Sequence, residues 1–157
     1  MAFAIRPAVA GDSPGITVLL DQLGYPADAD DVATRVAHWL DEPNSALLVA
    51  TADGDEADAG AGVGAGVVAG VAALHALLML DRSGRRGRLV ALVVDDAVRG
   101  QGIGRALLEA AERSARDLGC RDMEITSSRR RVAAHAFYTR LGYADICDRS
   151  ARFVKDL

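Results

Sequence analysis

Two cysteines, Cys120 and Cys147, are all this chain has. They show no metal-ligand spacing and are too few for a disulfide framework, so two reduced thiols are expected and no metal is. Excess positive charge is also missing: the formal net charge is −4. That argues against nucleic acid or an anionic membrane as the main partner. The run Arg129-Arg130-Arg131 is the one local exception, and no aromatics are interleaved with it. No uninterrupted apolar stretch reaches the length of a membrane span. Residues 63–80 come closest, but Gly64, Gly66, Gly70 and His75 interrupt them. No basic start followed by an apolar signal core is present, so a cytoplasmic location is expected. Aromatics are scarce, at three Phe, three Tyr and one Trp, and the 18 basic residues are all arginine except Lys155.

Half of the residues are hydrophobic, mostly Ala, Val and Leu, and 157 residues suffice for one domain with a core of its own. Phe3 to Arg6 reads as a first strand. Asp12-Ser13-Pro14 is a helix start, with a capping side chain and then proline. Ile16, Leu19, Leu20 and Leu23 follow at helical spacing up to Gly24. A second helix runs from about Asp30, with Val32, Val36, Trp39 and Leu40 on one face, and ends before Pro43. Ala46 to Thr51 reads as a strand leading to the Asp53-Gly54 turn pair. The stretch from about 53 to 66, rich in Gly, Ala and acid, reads as a flexible hairpin insert. Val67 to Leu80 is a long strand, with Gly70 marking a bulge or bend. Asp81 to Gly87 reads as a loop and Arg88 to Val94 as a strand.

Next comes the most informative stretch. An apolar strand runs into Arg99-Gly100-Gln101-Gly102-Ile103-Gly104-Arg105, and an amphipathic helix over Gly102 to Leu118 leads out. Glu109–Arg113 and Glu112–Arg116 are spaced for pairing on its exposed side. Glycines at a strand-to-helix turn let backbone N–H groups approach an anion closely, and the first helical turn offers unpaired N–H groups and the positive end of its dipole. That is a seat for a phosphate or pyrophosphate, flanked by Arg99 and Arg105. The Gly-x-Gly-x-Gly spacing is not the dinucleotide fingerprint, and no Gly-Lys-Ser/Thr of a Walker A loop is present. Met123 to Ser127 reads as a strand, Arg129 to Leu141 as a helix closed by Gly142, and Tyr143 to Val154 as one or two final strands. The order β α α β β β α β α β describes an α/β domain of the α+β type.

Arg99-Gly100-Gln101-Gly102-Ile103-Gly104 matches the Arg/Gln-x-x-Gly-x-Gly/Ala signature of the GNAT superfamily of N-acetyltransferases. Ala134-His135-Ala136-Phe137-Tyr138-Thr139-Arg140-Leu141-Gly142-Tyr143 resembles that superfamily's Ala-x-x-Phe-Tyr-x-x-Leu-Gly-Phe/Tyr segment. The closing Arg152-Phe153-Val154-Lys155 and the element order fit as well. The resemblance spans nearly the whole chain. It implies a single domain over residues 1–157, with a mixed, mostly antiparallel sheet of six to seven strands flanked by about four helices. It implies acetyl-coenzyme A as co-substrate. The pyrophosphate would rest on Gln101, Gly102, Ile103, Gly104 and Arg105, beside Arg99 and Gly100. The pantetheine would pair with the backbone of Leu92, Val93 and Val94, where the strand would splay from its neighbour. Arg131 stands where many members carry an Asn and would face a phosphate or the pantetheine. The acceptor would be an amine of a small molecule or peptide, and pairing as a homodimer is expected.

An ammonium with a pKa of about 10.4 needs about 4.6 kcal/mol to lose its proton at pH 7, so a base or a water relay to one is required. The thiolate expelled has a reference pKa of about 8.5 against about 10 for a phenol. A tyrosine therefore mainly hydrogen-bonds the developing charge on sulfur. By resemblance Tyr138 holds that place. Glu124, His75 and Asp95 are candidates for the base, as is a water chain without a dedicated base. Neither cysteine lies in an activating motif, so direct transfer is expected rather than an acyl-enzyme. A non-catalytic acyl-coenzyme A sensor is the alternative reading.

Overall fold

The computed structural model describes residues 2–52 and 66–157. The insert expected at about 53–66 thus lies, except for Gly66, outside the described residues. The chain divides into two compact units, Met1–Ile125 and Thr126–Leu157.

The first unit holds a five-stranded sheet in the order β1-β2-β3-β4-β5, with β1 Phe3–Pro7, β2 Ser45–Ala52, β3 Val67–Leu78, β4 Arg85–Val94 and β5 Cys120–Ile125. Neighbours pair antiparallel except β4 and β5, which are parallel. Helices α1 Ser13–Leu23 and α2 Ala29–Asp41 pack on one face of the sheet. Ile16, Leu19, Val32 and Val36 form a core there with Leu47, Val49, Val71, Ala73 and Val93. These are the alternate residues of β2, β3 and β4, as a pleat requires.

Helix α3, Ile103–Asp117, covers the other face, with Ile103, Leu107 and Leu108 fully buried. It lies close because the strands beneath it carry glycine. A Cβ on Gly70 would stand 2.9 Å from Leu107 Cδ1 and 3.1 Å from the Val93 carbonyl. A Cβ on Gly87 would stand 3.3 Å from that of Ala115. Gly70 is thus a seat for the helix as well as the neighbour of a bulge. The β2–β3 register moves from Ala50↔Gly70 to Thr51↔Val68, leaving Ala69 as the extra residue. A second bulge leaves Val90 extra on β4, between Ala73↔Ala91 and Leu74↔Leu89.

Three local expectations change. Asp12 precedes α1, but its carboxylate does not cap it. It accepts two hydrogen bonds from Arg6, at 2.7 and 2.8 Å, and one from the Val9 N–H. A guanidinium fork satisfies a buried carboxylate better than one backbone N–H can. Arg85 and Arg86 belong to β4, not to a loop, because Gly84 at φ 90 closes the hairpin earlier. In α3, Glu109 pairs with Arg105 at 2.8 Å, not with Arg113.

The second unit, described by itself, holds α4 Val132–Arg140. Its end is a left-handed glycine cap: Gly142 has φ 90, its N–H reaches the Thr139 carbonyl, and the Tyr143 N–H reaches the Tyr138 carbonyl. The final strands expected over 143–154 are not present, so the sheet of the described residues has five strands rather than six or seven. Asp145 accepts from the Cys147 N–H and pairs with Arg129 at 2.8 Å, which fixes a turn in that segment.

Candidate functional site

The turn between β4 and α3 is pinned before it reaches its glycines. The Asp95 N–H donates to the carbonyl of the bulged Ala69, and the Asp96 N–H donates to Gln22 Oε1 from α1. The Asp95 carboxylate accepts from the Ala97 N–H, so this candidate base is occupied as a cap. Arg99 reaches back to the Val94 carbonyl through Nε and to Asp96 through Nη2.

Gly100 and Gly102 both have positive φ, 79 and 85, with open space where a Cβ would stand. Backbone conformation, and not crowding, demands glycine there. Gly102 is the N-cap of α3 and supplies no side-chain hydrogen bond. Helix geometry leaves the N–H groups of Ile103, Gly104 and Arg105 without acceptors inside the helix. Asp28 by contrast caps α2 through its side chain, and Asp30 and Asp31 fill that helix's first turn. The first turn of α3 carries no acid and one arginine, the reverse of what a helix dipole favours. A start that forgoes both local stabilisers suits an anion supplied from outside. The exposed pairs Arg99–Asp96 and Arg105–Glu109 are weak enough to yield to one.

Beside this start, β4 changes partners. Its pairing with β5 runs from Arg85↔Cys120 to Leu89↔Ile125 and ends there. Among the described residues, no strand pairs with the β5 side of residues 90–94, while β3 holds the opposite edge up to Val94. Leu92, Val93 and Val94 therefore lie on an open edge that can take an extended, amide-bearing ligand. The bulge at Val90 marks where it begins.

The residue model of the Acetyltransferase (GNAT) family matches positions 17–143. The chain belongs to that family. Membership makes this GNAT protein an acetyl-CoA-dependent N-acetyltransferase. It is 32% identical over 144 residues to an aminoalkylphosphonate N-acetyltransferase of Salmonella typhimurium, covering 88% of this chain and 83% of that one. It is 33% identical over 142 residues to an aminoglycoside N(6')-acetyltransferase of Stenotrophomonas maltophilia, covering 90% and 86%. Both relatives are named as transferases, which favours a catalyst over a non-catalytic sensor. The fold is shared with the solved structure of an aminoglycoside N-acetyltransferase in complex with CoA, at a TM-score of 0.81 and 20% identity over 99% of this chain and 95% of that one.

The GNAT chain distributes its other candidate residues unevenly. Tyr138 is half-buried on α4, with its ring against Phe137 at 5.3 Å and Tyr143 at 6.0 Å. Burial raises its phenol above the ordinary value, and the charge of Arg131 offsets part of that rise. Arg131 itself is the N-cap of α4. Glu124 on β5 has both oxygens engaged, Oε2 by Arg86 at 3.3 Å and Oε1 by Arg88 at 3.1 Å. His75 on β3 stacks on Trp39 of α2, with ring centroids 4.0 Å apart. The bulge at Val90 and the glycines beneath α3 escaped the sequence reading, whereas a splayed edge at Leu92 to Val94 was expected from the family resemblance. In an apolar run such as Leu89 to Val94, no alternation reveals which residue is extra. Among the described residues, no group of three or more His, Cys, Asp or Glu could hold a metal, and no helix is long and apolar enough to cross a membrane.

Proposed function

We propose that this chain is one catalytic domain, working in the cytoplasm, that moves the acetyl group of acetyl-CoA directly to the primary amine of a small molecule within a ternary complex. The observation that carries this reading is the start of α3, a capless helix end with an arginine where an acid is favoured, next to the unpaired edge of β4. The N–H groups from Gln101 to Arg105 take the coenzyme's pyrophosphate, with Arg99, Gly100 and Arg131 around its phosphates. Leu92, Val93 and Val94 take the pantetheine amides as a strand would, which aims the thioester along β4.

Attack by the amine forms the new C–N bond. Collapse of the tetrahedral adduct breaks the C–S bond and leaves the electron pair on sulfur. Tyr138 donates a hydrogen bond to that sulfur. A phenol lifted by burial stays protonated at neutral pH and acts as a donor that keeps its proton until a later exchange with solvent. Glu124 is clamped by two arginines and serves better as an anchor than as the base. A water relay is the reading we favour for deprotonating the ammonium. Small amines as acceptors are supported by the names of the two curated relatives. Pairing as a homodimer belongs to the same reading and is measured by light scattering. The test of the function is release of free thiol from acetyl-CoA across a panel of amines. Turnover with at least one amine is expected. Coenzyme binding with no turnover on any of them would return the sensor reading.

A further inference from the structure

One row of side chains on the α1/α2 face of the sheet has no part in the scheme above. His75 on β3 is the register partner of Arg88 on β4, and Arg88 is the register partner of Glu124 on β5. Direct partners in a sheet share a face, with their Cβ atoms about 4.5–5.5 Å apart. The stack of Trp39 of α2 on His75 identifies that face as the one opposite α3. Arg86, two residues before Arg88, shares it and binds Asp122 at 2.7 Å and Glu124 at 3.3 Å. The row therefore reads His75, Arg88, Glu124, Arg86 and Asp122 across three strands, with Trp39 of α2 stacked on its first member.

Its position matters. Arg88 immediately precedes Leu89, the last β4 residue that β5 pairs with. The row is the polar border of the open edge, on the face opposite α3. Among the described residues, Arg86 has two carboxylate partners, whereas Arg88 meets one carboxylate oxygen, through Nη1. Glu124 thus holds one corner of the Arg88 guanidinium and leaves the rest of its donor fork to a ligand, beside its cross-strand neighbour His75. A planar fork of this kind suits a phosphonate, phosphate or carboxylate. The acids of the first turn of α2 do not compete here. Nine residues separate Asp30 from Trp39, about 13 Å at 1.5 Å per helical residue.

We propose that Arg88, oriented by Glu124 and bordered by His75, binds an anionic group on the acceptor, so that the acceptor is a short primary amine bearing a phosphonate, phosphate or carboxylate. This rests on amine acetylation being the reaction. The amine points toward the thioester along residues 90–94 while the anion is held behind it. Arg88 is then a specificity-determining residue.

The test compares kcat/KM for 2-aminoethylphosphonate, O-phosphoethanolamine, 3-aminopropanoate, propylamine and the aminoglycoside neamine. At least one anionic amine should exceed propylamine and neamine by tenfold or more, and the three anions rank phosphonate, phosphate and carboxylate against one another. Arg88→Ala should raise the KM of the preferred anionic amine at least tenfold and shrink its advantage over propylamine. Arg88→Lys should restore part of it. A purely structural role would lower all five acceptors alike. A preference for neamine, equal rates for charged and neutral amines, or an unchanged ratio in Arg88→Ala would overturn the proposal. Should no acceptor release thiol, the transferase reading fails first. Calorimetric titration of 2-aminoethylphosphonate into wild type and Arg88→Ala then decides the anion site, and absence of binding to the wild type ends it.

Discussion

Burial acts on two ionisable side chains of this protein with opposite results. At Tyr138 it dominates and the phenol is pushed up. At Asp12 burial works against the carboxylate, but the fork of Arg6 and the Val9 N–H outweigh it and hold the group below its ordinary value. Each yields a measurement. Tyr138→Phe should lower kcat at least tenfold, about 1.4 kcal/mol of transition-state stabilisation, while leaving the Kd for acetyl-CoA within about twofold. Full activity in that variant would remove Tyr138 from the chemistry. Arg6→Ala strands a carboxylate that is only 5% exposed. Breaking such a pair from one side should cost about 3 kcal/mol in urea unfolding. The pairing of Arg6 with Asp12 was not legible in the sequence, because Asp-Ser-Pro reads equally well as a helix cap.

At the scale of elements, α3 and the sheet beneath it form one device. Gly70 and Gly87 let the helix rest on strand backbone, and Ile103, at the helix's N-terminal end, packs beside Gly70. Gly70→Ala forces its Cβ against Leu107 and the Val93 carbonyl. A destabilisation of about 1–3 kcal/mol is expected, together with weaker coenzyme binding as the helix start shifts. Calorimetric titration with acetyl-CoA and thermal unfolding check the two effects, and intact affinity with intact stability would contradict the packing argument. Gly102→Ala probes the same end differently. Nothing crowds that position, but φ 85 disfavours any Cβ. Its effect should appear mainly in coenzyme Kd, with about 1–2 kcal/mol of backbone strain. The helices and most strands were readable from apolar period and glycine stops. Strand ends at arginines were not. Arg85 and Arg86 look like loop residues until β5 brings Asp122 and Glu124 to them.

For the molecule as a whole, acid should be the weak direction. Asp12, Asp122 and Asp145 are all held below their ordinary carboxylate value of 3.8, and Asp12 is the buried one. Each binds its proton less readily in the fold than in the unfolded chain. The stability they lend is complete above about pH 4 and is lost as pH falls through their folded values. The exposed pairs are screened by solvent, so Asp12 should dominate. The thermal midpoint should stay level down to about pH 4 and drop below it, and Asp12→Asn should flatten that drop. A midpoint falling equally steeply in both proteins would place the acid sensitivity elsewhere. Element order up to the last helix and the glycine turn before α3 could be read before any coordinates, because glycine spacing and helix periodicity are local signals. The end of the chain could not. One or two strands were expected there, yet the Asp145 turn intervenes and Phe153 is 92% exposed.

The extra residue on β4 also sets what the gene can tolerate. Arg88 and Ala91 are an odd number of positions apart yet share the α1/α2 side, because Val90 absorbs one step of the pleat. Removing Val90 would restore regular alternation, because Arg88 and Ala91 would then stand two positions apart on the same side. Ala91 and Val93 would stay in the core and Arg88 on its own side, and only the bulge would be lost. Substitution at this half-exposed valine should be mild. A one-codon deletion there should be tolerated nearly as well as deletions in the hairpin loop at residues 81–83, whereas deleting Leu92 as well should turn Val93 out of the core and abolish folding. A deletion scan of β4 and that loop would separate the two, and would read out the pleat's parity one codon at a time.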